Sequence, residues 1–112
     1  MRTDLVLLKH IQDCIELLES YIMDTRQPME DPRTRDAVLR EIQVIAQSAM
    51  QLSDSLKSRH PEIGWTQLRA FRNILVHDYM NIRLDLVESA IQDDLQLLKQ
   101  AVLAEISLTE DK

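Results

Sequence analysis

Arg72, Asn73, His77, Asp78 and Tyr79 stand within eight positions of one another in the stretch AFRNILVHDYMN, residues 70–81. Each type brings a distinct chemistry. An arginine stays protonated at any physiological pH, and its planar fork matches phosphate oxygens, so it can hold a phosphate or offset charge developing on one. A histidine titrates near neutrality and can give or take a proton. A tyrosine offers a phenolic donor, a ring on which a base can stack, and a hydroxyl open to modification. With no cysteine-based metal cluster available, the set fits metal-independent cleavage of RNA, in which an activated 2′-hydroxyl attacks the adjacent phosphate. One histidine cannot readily serve as both base and acid in such a step, whereas two copies of the chain supply two.

Spacing limits how these groups can meet. At about 100° per residue, Arg72 and Tyr79 fall within about 20° of each other on a helix, while His77 lies about 140° from Arg72. Asn73 and His77, at i and i+4, share a face and could hydrogen-bond, which would orient the imidazole. Convergence of all the groups therefore requires a helix end near His77, or a cleft shared by two subunits. A rim of solvated polar side chains on an ordinary core helix is the competing reading.

The elements that must position this stretch are helical. The chain has 112 residues, 45% of them hydrophobic, with one glycine and three prolines; that size suits a single domain, here residues 1–112, with one apolar core. Leu5, Leu8, Ile11, Ile15, Leu18 and Ile22 recur at steps of three and four after a candidate N-cap at Thr3. Asp31 followed by Pro32 reads as a second helix start. From there Val38, Ile42, Ile45, Ala49, Leu52 and Leu56 form one seam, predicting a helix to about Ser58. Pro61 and Gly64 mark a loop. A short third helix carries Trp65, Leu68, Ala70 and Phe71 into the motif, and a last one carries Leu84, Val87, Ile91, Leu95, Leu98, Val102 and Ile106, with the final TEDK expected to fray. The expectation is an all-α, antiparallel four-helix bundle with a short third helix, in which one helix is open to being split.

Composition bounds the partners. Cys14 is the single cysteine, which rules out an internal disulfide and suits a small buried side chain. The N-terminus lacks the uninterrupted apolar run of a signal peptide, and the expected location is the cytoplasm. The formal net charge is −6, yet residues 26–72 carry eight basic and six acidic groups while residues 84–112 carry two and seven. The acidic excess is terminal, and Arg59, Arg69 and Arg72 offer a local positive surface for RNA. His10 reads as a helix-surface residue and His60 as a loop residue.

The run Arg72-Asn-Ile-Leu-Val-His77-Asp-Tyr79 resembles the Arg-x4-His-x-Tyr signature of the HepT-like toxins, small members of the HEPN superfamily. DAVLREIQVIAQSAMQLSDSLKSRHPEIGW is similar to the family's second helix and following loop, and LDLVESAIQDDLQLLKQ to its last helix. The resemblance implies a toxin–antitoxin ribonuclease acting as a homodimer, with Arg72 and His77 as the catalytic pair, Asn73 and Asp78 in support, and no metal or other cofactor of its own. It implies that a minimal nucleotidyltransferase antitoxin places AMP on Tyr79, using ATP and magnesium that belong to that partner. The RNA target, tRNA or mRNA, stays open. The alternative is a non-catalytic helical partner or regulatory subunit of a nucleotidyltransferase. The chain departs from the pattern at Arg83, where relatives often carry an acidic residue, so an acidic N-cap is lost.

Overall fold

A computed structural model describes residues 4–23 and 26–110, except for the side chain of Tyr79. The expected cap at Thr3 and the end of the TEDK segment lie outside the described residues. Helices α1 (Asp4–Met23), α2 (Pro32–Met50), α3 (Asp54–Ser58), α4 (Trp65–His77), α5 (Leu84–Ser89) and α6 (Leu95–Glu110) make up the fold, with a 3₁₀ turn over Tyr79–Asn81 and a π-turn over Ala90–Asp94. No strand forms among the described residues. The all-α class is thus the observed one.

α1 packs against both α2 and α6, and α2 also packs against α4. Polar ties across the bundle give the directions: Lys99 donates to both carboxylate oxygens of Glu19, at 2.9 and 3.0 Å, and Lys9 lies 3.8 Å from Glu110. α1 and α6 therefore run antiparallel. The apolar stripes read from the sequence form the core, with Leu8, Ile11, Ile15, Leu18, Val38, Val87 and Val102 almost wholly removed from water. Dropping this set into the interior is the main stabilising contribution, about 1.5–3 kcal/mol for each large aliphatic side chain.

α2 starts where the sequence places it. Asp31 accepts hydrogen bonds from the Thr34 amide at 2.9 Å and the Thr34 hydroxyl at 2.6 Å, with Pro32 at the first helical position. These bonds satisfy an otherwise orphaned backbone donor and hold the Asp31 carboxyl below its ordinary pKa.

The single helix expected to run to Ser58 is instead broken after Met50. Ser53 caps α3 by accepting from the Leu56 amide at 3.2 Å. The Asp4 carboxylate accepts from the Ser53 amide at 3.0 Å and from its hydroxyl at 2.6 Å. Lys57 donates to the freed Met50 carbonyl at 2.7 Å. The apolar seam survives the break, since Leu52 and Leu56 are both buried. Polar groups at the break, one of them 49 residues away, satisfy the backbone that a continuous helix would have satisfied itself.

Candidate functional site

The path into α4 is fixed before the motif begins. Trp65, at the first position of α4, packs half-buried on the core and donates its indole N–H to the carbonyls of Lys57 at 3.1 Å and His60 at 3.2 Å. The loop just before it is clamped to α6. Glu105, 5% exposed, accepts from Arg59 at 2.8 and 3.3 Å and contacts His60 Nε2 at 2.7 Å. The Arg59 hydrogen bond and, to a smaller extent, His60 draw the Glu105 carboxyl below its ordinary pKa against the opposing effect of burial. His60 is therefore an anchor of the fold, and Arg59 is not free to form the positive surface expected of it. Neither pairing could be read from spacing, because the partners lie 45 and 46 residues apart.

Along α4, Leu75 alone is fully buried, at 3% exposed, while Ile74 and Val76 are 45% and 38% exposed. One leucine between Arg72 and His77 fastens the motif to the core. The helix ends at His77, and the Asp78 amide still donates to the Ile74 carbonyl at 2.9 Å. Beyond it, Asn81 donates to the Asp78 carboxylate at 2.7 Å across the 3₁₀ turn. Met80, on that turn, is 91% exposed.

Arg72 is half-buried and ordered by two amide oxygens: Nε donates to Gln47 Oε1 on α2 at 2.7 Å, and Nη1 donates to Asn73 Oδ1 at 2.9 Å. Asn73 thus orients the arginine and not the imidazole. Asp78 serves the turn instead of His77, whose exposed ring has no hydrogen-bond partner among the described residues. The structure brings Arg72, Asn73 and Gln47 together, and sets His77 at the helix end with no bond to any of them. Tyr79 follows at the start of the turn, and its side chain lies outside the described residues.

Arg83 occupies the N-cap position of α5 without capping it by its side chain. Its guanidinium meets Asp85 at 2.7 Å, both groups being largely exposed. The positive charge of Arg83 is accordingly offset by a neighbouring carboxylate.

An apolar cleft of about 300 Å³ separates α4 from the π-turn, lined by Ile45, Ile63, Leu68, Phe71, Ile91 and Leu98 with Glu62 and Asp94 among the lining groups. Carboxylates and hydrocarbon make it a poor receptor for a phosphate. Among the described residues no three His, Cys, Asp or Glu side chains converge as metal ligands, and no helix is long and apolar enough to cross a membrane.

An all-helical bundle that displays an Arg-x4-His element at the end of one helix defines the class of protein. Residues 11–105 match the family model described as ribonuclease HepT-like, and the chain belongs to that family. It is 27% identical over 94 residues to the "Probable ribonuclease HepT" of Thermococcus cleftensis, covering 82% of this chain and 86% of that protein. It is 29% identical over 106 residues to the "Gamma-glutamylcyclotransferase and putative RNase MJ0434" of Methanocaldococcus jannaschii, where the match covers 92% of this chain but only 48% of the relative. The chain thus spans about half the length of that second protein. No solved structure matches it.

Proposed function

We propose that the protein is a metal-independent endoribonuclease acting as the toxin of a toxin–antitoxin pair, with Arg72 and His77 of two copies lining one cleft. The observation that supports this reading is the exposed His77 at the end of α4, five residues after the half-buried Arg72, with Ile74, Val76 and Met80 exposed along the same stretch. Exposed apolar side chains beside charged ones suit a surface covered by a second subunit. The two copies then supply two histidines. One His77 takes the proton of the RNA 2′-hydroxyl, the freed oxygen attacks the adjacent phosphorus, and the bond to the 5′-oxygen breaks. The other His77 protonates that leaving oxygen, giving a 2′,3′-cyclic phosphate and a 5′-hydroxyl. Arg72 offsets the negative charge that builds on the phosphoryl oxygens.

In the same reading, a nucleotidyltransferase antitoxin transfers AMP from ATP to the Tyr79 hydroxyl, which gives up its proton as pyrophosphate leaves. The added anionic group would repel and occlude the RNA phosphate at the site. ATP and magnesium serve that partner enzyme.

Purified protein in EDTA should cut RNA to cyclic-phosphate ends, and His77→Ala should slow cleavage at least about a hundredfold, the usual worth of a general acid–base group. Undiminished cleavage by His77→Ala would refute the assignment. Coexpression with the nucleotidyltransferase should raise the intact mass by whole AMP units in wild type and by none in Tyr79→Phe.

One observation favours a second reading, a non-catalytic partner of a nucleotidyltransferase. Arg59 and Arg83 both face carboxylates in a chain of net charge −6, and a negative total charge opposes the approach of RNA phosphates. A stable complex with the nucleotidyltransferase, without RNA cleavage by the free protein, would select it.

A further inference from the structure

Arginines in this protein are held in two different ways. Arg59 pairs with Glu105 at 2.8 Å and Arg83 with Asp85 at 2.7 Å, so each positive charge meets a carboxylate. Arg72 is held only by amide oxygens, Gln47 Oε1 on Nε and Asn73 Oδ1 on Nη1. Its Nη2 has no partner among the described residues. The identity of the accepting atoms follows from chemistry, since a guanidinium only donates and each amide must present its oxygen. A neutral acceptor orders the side chain without cancelling its charge. A carboxylate in the same place would do both.

Gln47 reaches Arg72 from a different helix, 25 residues earlier in the chain. Asn73 adjoins Arg72 in sequence and moves with it, so it cannot by itself set where the guanidinium sits in the fold. Gln47 can, because α2 packs against both α1 and α4 and belongs to the rigid body of the bundle. A free arginine side chain gives up rotamer entropy when it is immobilised. Fixing it in advance moves that cost from the reaction into folding.

We infer that Gln47 is a positioning residue for Arg72, holding the guanidinium at full charge with Nη2 turned free to meet a phosphoryl oxygen. The inference rests on the reading of Arg72 as the group that stabilises the phosphate.

Two substitutions of similar size separate positioning from a merely structural tie between α2 and α4. Gln47→Met removes the acceptor, and Gln47→Glu keeps it while adding a charge that neutralises Arg72. Both should melt within a few degrees of wild type. In Gln47→Met, kcat for RNA cleavage should fall about tenfold with KM within about twofold, and the Arg72 Nε–H NMR resonance should lose its ordered heteronuclear NOE. In Gln47→Glu that resonance should stay ordered, yet kcat/KM should still fall about tenfold or more.

A structural role predicts the opposite for Gln47→Glu, which preserves the tie between the helices and would then cleave like wild type; that result overturns the inference. Wild-type rates in Gln47→Met overturn it as well, and leave the ribonuclease reading standing if Arg72→Ala is inactive. A wild-type protein unable to cleave RNA would remove the reading and the inference together.

Discussion

Replacing Glu105 by Gln removes one negative charge from the interior while keeping its shape, and so isolates the clamp that fixes the entrance to α4. In the native protein this carboxylate accepts two hydrogen bonds from Arg59 and contacts His60. Arg59 is about half exposed, so water screens part of its attraction and can solvate it once the pair is lost. The loss at Glu105 is then that of charged hydrogen bonds and not that of a stranded buried ion, about 2 kcal/mol. For a domain of this size 1 kcal/mol displaces the melting temperature by about 4 °C, so the variant should melt about 8 °C lower at pH 7.

The gap should also depend on pH in a fixed direction. The Glu105 carboxyl titrates lower in the folded protein than its ordinary value of 4.5, so over that acid window the unfolded chain binds the extra proton. Its contribution is complete above about pH 5 and is lost as the pH falls through the folded value. Circular dichroism at 222 nm, followed against temperature from pH 7 to 3 at one protein concentration, measures both quantities. A melting difference under about 2 °C at neutral pH, or one that does not narrow on acidification, would refute the clamp.

Further outcomes concern the motif's anchor and the lone thiol. Leu75→Ala should destabilise the protein by about 2–5 kcal/mol in denaturant titration, whereas Leu75→Met should cost under about 1.5 kcal/mol; equal losses would show that Leu75 does not fasten α4. Burial, followed by the proximity of Glu41, pushes the Cys14 thiol up to about 11. Its alkylation by iodoacetamide at pH 8, followed by mass, should therefore be at least about a hundredfold slower in the native protein than in urea.

Helical faces were legible in the sequence because burial imposes a period on apolar residues. Every member of the seam from Val38 to Leu56 is buried. That same seam hid the break at residues 51–53, because three- and four-residue steps continue through Leu52 while Ser53 and Asp4 satisfy the interrupted backbone. A better signal was Ser53-Asp54, a cap followed by an acidic first turn.

The end of α4 at His77 was anticipated on geometric grounds. The apolar trio Ile74, Leu75 and Val76 divides into one buried residue and two exposed ones. On a single helix face three consecutive residues cannot all point inward. Gln47 escaped notice because its meaning lies in a contact between helices, and a glutamine on the shoulder of an amphipathic helix has no periodic signature. The same is true of the Glu105 cluster.

The π-turn at Ala90–Asp94 amounts to a splice of one surplus residue into an otherwise regular rod. It lies between the buried Val87 of α5 and the buried Leu95 and Leu98 of α6. In an unbroken α-helix an added residue would turn everything downstream by about 100°. Here the widened turn absorbs that rotation, and α6 still lays its stripe on α1. The last helix thereby acquires a tolerance for length. A chain lacking one residue within this turn can close it into regular α-helix and leave both flanking stripes pointing where they point now.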